Sequence, residues 1–233
     1  MDRQAENNDI KTGSTKVKKI FIIIELVLIA VLTAVNLVLF IFTSSSKAFL
    51  MLLGLVPILV ILMIVSLLVK DKTACLVTNT TLTACVLAGV LLYSVLPPGI
   101  NSHSSWQYKY QKAYINLYSN ATDCFPDSIP KDVSDYYFHH TPPMLQGDGD
   151  TNLRFKASPD VIKAIEDEYA PIAMSTSQMD NDFALRMYNG DGFWMDTEAT
   201  IYNLKNTGNF NHQHYSQLIV SKDHTKIEFY AIV

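Results

Sequence analysis

The sequence predicts a three-helix transmembrane bundle followed by an exterior α+β domain, which is mostly antiparallel sheet with one or two packed helices. The chain of 233 residues is 49% hydrophobic, with a mean hydropathy of +0.15. Its apolar excess lies almost entirely in the first hundred residues. After residue 99, apolar runs give way to alternating strand patterns and to a helix with a clear start signal.

The membrane part is predicted by three long apolar runs, at residues 20–42, 48–69 and 74–96. A helix needs about 20 apolar residues to cross the roughly 30 Å hydrocarbon core of a bilayer, and each run is long enough. A cleaved signal peptide has an apolar region of only about 7–15 residues. The first run is longer and two more follow it, so we expect it to remain as an anchor. The polar residues 1–19 are predicted to be a disordered cytoplasmic tail.

Positive charges near the runs predict the orientation, because cytoplasmic loops are enriched in Lys and Arg. Five positive residues precede the first run: Arg3, Lys11, Lys16, Lys18 and Lys19. Lys70 and Lys72 separate the second run from the third, whereas the first connection carries only Lys47. The sequence therefore predicts a multi-pass protein of the cell membrane, with the lipid bilayer as a partner, a cytoplasmic amino terminus and an extracellular carboxy-terminal domain.

The exterior part, residues 99–233, is acidic. It holds 10 Lys and Arg against 17 Asp and Glu, a net charge of −7. An acidic surface repels phosphate backbones, which excludes nucleic acid as an expected partner. Cys124 is the one cysteine of this part, so no disulfide forms within it, and this favours a bacterial envelope. The sequence leaves open an envelope protein, a ligand or a homo-oligomer as the partner.

The exterior part divides into a juxtamembrane helix and a sheet domain. The predicted boundaries are 1–19 for the tail, 20–97 for the three helices, 98–120 for the juxtamembrane helix and 121–233 for the α+β domain. Aromatic residues at helical spacing, beginning with Trp106 and Tyr110, fit either lipid headgroups or packing on the domain. The elements predicted in the domain are strands at 135–140 and 152–157, a helix that begins after Ser158, and a hairpin of 215–220 with 226–232.

Asp148, Asp150 and Asn152 alternate as the first three ligands of an EF-hand calcium loop do. Position six of such a loop is glycine and position twelve is glutamate. Here those positions hold Leu153 and Pro159. The stretch also lies between two predicted strands, so a turn is favoured over a metal site at Asp148 and Asp150.

His212 and His214 are a second, weak metal candidate. Alternate residues of a strand share a face, so both rings could reach one ion. Two ligands do not complete a site, and the sequence names no third. The adjacent His139 and His140 are expected to point to opposite faces. No catalytic serine motif and no phosphate-binding glycine loop occurs, so we predict no catalytic residues and no cofactor, and whether the chain is an enzyme stays uncertain.

Glu25 and Asn36 are polar residues within the first apolar run. They are 11 residues apart, close to three helical turns, so they share a face of the helix. Polar and charged residues inside a membrane are costly and are often functional. Packing and interface anchoring, an ion path and an oligomer contact are the three interpretations left open.

The stretch FPDSIPKDVSDYYFHHTPPMLQG, residues 125–147, resembles a pattern in uncharacterised membrane-anchored envelope proteins of Gram-positive bacteria. The positions that match are Phe125, Pro126, Ile129, Pro130, Phe138, Pro142, Leu145, Gln146, Gly147, Leu153, Arg154 and Phe155. The resemblance implies an anchored exterior domain with a turn at residues 145–147. It implies no particular activity and no catalytic residues.

These observations lead to a primary functional hypothesis and two alternatives. The primary hypothesis is a membrane protein whose acidic exterior domain binds an envelope partner or ligand. An envelope enzyme is the first alternative, with metal at His212 and His214. An accessory subunit of a transporter, acting through Glu25 and Asn36, is the second.

Overall fold

The computed structural model consists of two compact units. The helical unit comprises Met1–Ile41 and Lys47–Leu96, and the sheet unit comprises Phe42–Ser46 and Pro97–Val233. The residues that the structure describes are 2–68, 77, 80, 81, 84, 85, 88, 89, 99–143, 148–179, 193, 194, 198–209 and 212–232.

The helical unit contains two apolar helical stretches, which match the first two of the three predicted helices. Helix α1 is Asp2–Thr43; α2, Ser46–Leu50, is followed by a π-helical turn, Met51–Leu55, and by α3, Val56–Leu68. Within them, Ile22–Thr43 and Ser46–Val65 are long and apolar enough to cross a membrane. Of the third predicted helix, 74–96, only seven residues lie within the described part, and all seven are helical.

Helix α1 begins earlier than the sequence indicated. The structure has helix from Asp2 onwards, where a disordered tail was predicted for residues 1–19. These residues contain no proline, so nothing in them interrupts the hydrogen-bond ladder that continues upstream from the apolar run.

Pro57 accounts for the π-helical turn. A proline within a helix has no N–H to donate, and its ring collides with the carbonyl four residues before it. The chain accommodates this by widening the preceding turn, where the Val56 N–H donates to the Met51 carbonyl oxygen, five residues back. The helical path therefore continues past Pro57 instead of ending there.

The sheet unit is built on seven antiparallel strands in the order β1-β2-β3-β7-β6-β5-β4. The strands are β1 Ile100–Ser102, β2 Ser134–Thr141, β3 Asp150–Lys156, β4 Ser175–Gln178, β5 Ala199–Asn209, β6 His212–Ser221 and β7 Lys226–Ile232. This confirms the antiparallel sheet domain, including both predicted strands and the final hairpin. The last strand, β7, lies in the middle of the sheet, between β3 and β6.

One face of the sheet is covered by two helices, α4 (Tyr108–Ile115) and α5 (Pro159–Tyr169). The core on this face is dominated by large side chains that are almost wholly buried: Tyr108, Phe138, Leu153, Phe155, Ile162, Leu218 and Phe229. Alternation along each strand directs these residues to the same side. Phe125 and Pro126 also contribute to this core: the Phe125 ring packs 5.7 Å from Phe229, and the Pro126 carbonyl accepts a hydrogen bond from the Tyr108 hydroxyl at 2.5 Å.

The connection between α1 and α2 is part of the sheet unit. Ser45 forms an isolated antiparallel bridge with Ile100, and the Ser46 N–H donates to the Gly99 carbonyl at 2.8 Å. A buried glutamine, Gln111 of α4, donates to the Thr43 carbonyl at 3.4 Å. The chain segment between the two apolar stretches is therefore held by backbone and side-chain hydrogen bonds to the domain.

Candidate functional site

A cavity of about 350 Å³ opens at one end of the sheet. Its lining comes from the segment after α4, from the β2–β3 connection and from the ends of three strands: Ser119, Asn120, Pro143, Lys205, Thr207, His214, Tyr215, Ser216 and Ile232. Ligand pockets in proteins are commonly about 300–1,000 Å³, so this cavity suits a small molecule.

A β-bulge in β5 brings Lys205 to the cavity. Asn203 pairs with Gln217, but Lys205 pairs with Ser216, so one extra residue stands on β5 between these pairs. Such a bulge re-aims the side chains that follow it. Without the bulge, Lys205 would share a face with Asn203; with it, Lys205 lies opposite Ser216 and lines the cavity.

The side chains around the cavity are mostly hydrogen-bond donors. The Lys205 amine lies 3.6 Å from the Asp123 carboxylate, which holds it at the rim. Hydroxyl groups come from Ser119, Thr207 and Ser216. The Tyr215 ring instead packs beside Tyr230, 5.9 Å away on the other face of the sheet. An amine surrounded by hydroxyls fits an anion better than a cation.

The metal candidates are not brought together by the described residues. Asp148 is exposed in the β2–β3 connection, and Asp150 is the first residue of β3. His214 is exposed and lines the cavity, whereas the side chain of His212 lies outside the described residues. Within the described part of the chain, no three His, Cys, Asp or Glu residues form a group that could hold a metal. Metal binding stays a prediction, to be checked by metal analysis of the purified protein.

Asn36 lies in a buried part of α1. Its side-chain amide donates to the Leu32 carbonyl at 2.8 Å, one turn back, and Thr33 bonds Ile29 at 2.7 Å in the same way. The Asn36 Oδ1 atom is buried and has no partner among the described residues. The side chain of Glu25 lies outside the described residues, so a joint role for the two stays a prediction.

A row of polar side chains crosses the face of the sheet that lies opposite α4 and α5. Its seven members are successive cross-strand partners: Asn101, His139, Asn152, Tyr230, Gln217, Asn203 and Ser175. Along it, Gln217 donates to Asn203 at 2.8 Å and Asn203 donates to Ser175 at 3.0 Å. Asn152 Oδ1 and Gln217 Oε1 have no partner in the described part, but they are buried, so a ligand cannot reach them. The cavity is therefore the better candidate site.

A buried carboxylate, Glu228, lies beside this row. It has no exposed surface. Its Oε2 atom accepts the indole N–H of Trp194 at 2.5 Å, and its Oε1 atom accepts an amide N–H of Asn152. The adjacent Arg154 lies over the rings of Tyr137 and Phe193, at 4.6 Å and 4.9 Å from their centres. This cluster fastens Phe193 and Trp194 to the sheet, so we assign it a structural role.

The two adjacent histidines do point to opposite faces, as predicted. His139 is half-buried beside Tyr137, with the two rings parallel at 6.0 Å, while His140 is buried on the helix-covered face. His140 Nδ1 bonds the Thr151 hydroxyl at 2.8 Å. Burial lowers the pKa of His140 from 6.5 to about 4, although the Asp150 carboxylate opposes this shift.

This burial predicts an acid-sensitive fold. His140 stays neutral in the folded protein down to a pKa of about 4, whereas the unfolded chain takes up the proton near pH 6.5. Between pH 6.5 and about 4 the unfolded state binds this proton and the folded state does not, so the free energy of unfolding falls as the pH falls through that range. Above pH 6.5 His140 is neutral in both states and costs no stability. We expect the free energy of unfolding to drop by about 2 kcal/mol between pH 7 and pH 5. Denaturant titrations of the wild type and of His140→Gln measure this, and equal losses in both would contradict it.

No protein-family model, curated protein or solved structure matches this chain.

Sequence reasoning identified one residue of the cavity, His214, but for a different chemistry. It missed Lys205, Thr207 and the pair Ser119 and Asn120. Lys205 and Thr207 alternate in the sequence, yet nothing near them signals the bulge that turns them toward the cavity. Ser119 and Asn120 follow a helix and resemble any polar turn.

Proposed function

We propose that this chain is a multi-pass protein of the cell membrane whose acidic exterior domain binds a small anionic ligand in the cavity at the end of the sheet. The observation that carries the proposal is the cavity itself, with the Lys205 amine and several hydroxyl donors around it. The amino terminus is cytoplasmic and the sheet unit is extracellular in this proposal.

Membrane insertion is supported by the exposure of the apolar helices. Only 12% of each apolar window is buried inside the chain. A core helix of a soluble protein would be mostly buried. Exposed apolar surface costs about 25 cal/mol per Å² in water, and contiguous patches of this extent mark a membrane or an interface. A bilayer removes that cost.

The orientation is supported by the segment between the two helical stretches. Phe42–Ser46 belongs to the sheet unit, which supports a first connection on the same side of the membrane as the domain. The distribution of Lys and Arg independently predicts an exterior first connection. The resemblance of residues 125–147 to anchored envelope proteins of Gram-positive bacteria is consistent with an exterior first connection and an exterior domain.

The ligand class follows from charge. The domain is acidic overall, yet its cavity has a lysine at the rim and no carboxylate among the lining residues. Asp123 pairs with this lysine from outside the lining, so a bound anion would compete with Asp123 for the Lys205 amine and would be held at short range by the hydroxyl donors. The hydroxyls of Ser119, Thr207 and Ser216 suit the oxygens of a phosphate or carboxylate that also bears hydroxyl groups.

Thermal unfolding of the full chain in lipid nanodiscs tests this proposal. The probes are inorganic phosphate, a sugar phosphate and an uncharged sugar of the same size. A probe at ten times its Kd adds about 1.4 kcal/mol, which raises Tm by about 3–6 °C in a chain of this length. We expect this shift from the sugar phosphate, a smaller one from phosphate and none from the uncharged sugar.

Lys205→Ala should abolish the shift. The matched control is Lys222→Ala, because Lys222 also pairs with a carboxylate, Glu198 at 2.6 Å, but does not line the cavity. Equal shifts in both variants, or no shift in the wild type with either anion, would refute anion binding at this cavity.

A further inference from the structure

Helix α4 leaves an aromatic face uncovered. Trp106 and Tyr110 are 56% and 47% exposed, and Leu117, at the other end of the same stripe, is 75% exposed. Trp106 lies in the 3-10 turn Ser105–Gln107 that leads into α4, and Leu117 follows the end of α4. The rings of Trp106 and Tyr110 are 6.4 Å apart, so the two lie side by side on one surface. We call Phe42, Trp106 and Tyr110 the aromatic face.

The other side of α4 makes the contacts with the domain. Tyr108, Gln111 and Ile115 are almost completely buried. The sequence left open whether the aromatic residues pack on the domain or meet lipid headgroups. Since α4 already packs through its opposite side, the aromatic face has no place in the domain core.

The aromatic face is continuous with the end of the first apolar helix. Phe42 is the next-to-last residue of the window Ile22–Thr43. Its ring makes edge-to-face contacts with both partners, at 5.7 Å from Trp106 and 4.8 Å from Tyr110. A helix that spans the bilayer leaves the hydrocarbon near its last apolar residues. The three rings therefore meet at the depth where Trp and Tyr concentrate in membrane proteins.

We propose that the aromatic face lies in the headgroup region of the bilayer, so that α4 is an interfacial helix that holds the sheet unit at the membrane surface. Trp and Tyr suit this region because an apolar ring can face the acyl chains while the N–H or O–H group reaches water or headgroups. Lys109, exposed at the rim of the same face, can reach lipid phosphates. This inference rests on the membrane insertion proposed above.

Tryptophan quenching by lipid tests this directly, because the chain has only two tryptophans. Trp106 is exposed, whereas Trp194 is 2% exposed and bonded to Glu228. The full chain is reconstituted into phosphatidylglycerol and phosphatidylcholine vesicles whose acyl chains carry bromine close to the headgroup or close to the methyl end.

With bromine close to the headgroup, we expect the wild type to lose roughly half of its emission, since one of its two tryptophans would be at that depth. Bromine at the methyl end should quench far less. Trp106→Phe keeps an aromatic ring at an exposed position, so it should fold as the wild type does, and its remaining emission should not be quenched. Its melting curve, measured in the same vesicles, checks the fold.

Other outcomes separate this proposal from the membrane proposal on which it depends. Flotation with vesicles after alkaline extraction measures insertion independently. A chain that floats but shows no quenching of Trp106 overturns the interfacial helix and leaves insertion standing. A chain that does not float overturns both. Quenching that appears only on dilution into excess lipid would show that a second copy of the chain covers the aromatic face, which also overturns the proposal.

Discussion

Glu228→Ala is expected to destabilise the sheet unit by about 3–5 kcal/mol, the cost typical of removing one partner from a buried charged cluster. The carboxylate has no exposed surface and accepts hydrogen bonds from Trp194 and Asn152. Alanine would leave both donors buried without this acceptor, and each such donor costs about 1–3 kcal/mol. It would also open a void beneath Trp194, on the face of the sheet that this side chain covers.

The measurement is thermal unfolding of the full chain, monitored by near-ultraviolet circular dichroism. At about 2–4 °C per kcal/mol for a chain of 150–250 residues, Tm should fall by about 6–20 °C. Glu228→Gln, which keeps the shape, should lose less, because one oxygen still accepts the indole N–H.

The matched control is Glu198→Ala. Glu198 pairs with Lys222 at 2.6 Å, but its side chain is 75% exposed, and exposed ion pairs contribute about 0–1 kcal/mol. If Glu228→Ala and Glu198→Ala have the same Tm, the buried cluster does not stabilise the fold.

Gln111→Leu is expected to cost about 2–3 kcal/mol and to loosen the connection between α1 and α2. Gln111 is fully buried and bonds three groups: its Oε1 accepts the Tyr136 hydroxyl at 3.0 Å, and its Nε2 donates to the Thr43 carbonyl and to Gln107. Leucine fills the space but can bond none of them.

Two measurements distinguish the local effect from the global one. Thermal unfolding should show a lower Tm, and trypsin should cleave after Lys47 faster than in the wild type at a temperature well below Tm. Lys47 is 5% exposed, so this cleavage requires local opening. Lys163→Leu changes a position of α5 that is 60% exposed and has no contact with the connection, and it should alter neither. Unchanged cleavage in Gln111→Leu would mean that the backbone bonds of Ser45 and Ser46 hold the connection by themselves.

If the connection is held in this way, the sheet unit is attached to the apolar helices at more than one point of the chain. Residues 42–46, between α1 and α2, belong to the sheet unit, and so does the chain from Pro97 onwards.

Local patterns in the sequence were sufficient for the elements with strong periodicity. Length and hydropathy identified Ile22–Thr43 and Ser46–Val65. A run of aromatic residues identified β2, alternation identified β3, and two apolar runs around a turn identified the β6–β7 hairpin; Ser158 with Pro159 marked the start of α5. In each case the signal is a short-range one, because side-chain period and helix capping depend only on neighbouring residues.

The strands that sequence reasoning missed lack such a signal. β4 (Ser175–Gln178) is exposed throughout and is entirely polar, and β1 (Ile100–Ser102) has only three residues. β5 is rich in polar residues such as Asn203, Lys205 and Asn206, and its bulge breaks the alternation. An edge strand is stabilised mainly by hydrogen bonds to the neighbouring strand, so its own sequence is a poor predictor of its conformation.

The sequence by itself determined that this chain has long apolar helices, an acidic antiparallel domain and a carboxyl terminus within the sheet, since hydropathy, charge and period are properties of contiguous residues. Only the tertiary structure decided which side chains meet. Gln111 reaches Thr43 across 68 positions of sequence and Asn152 reaches Glu228 across 76. The direction of Lys205 depends on strand register, and the exposure of Trp106 depends on which side of the helix packs on the domain. Residues distant in the chain determine both the register and the packing.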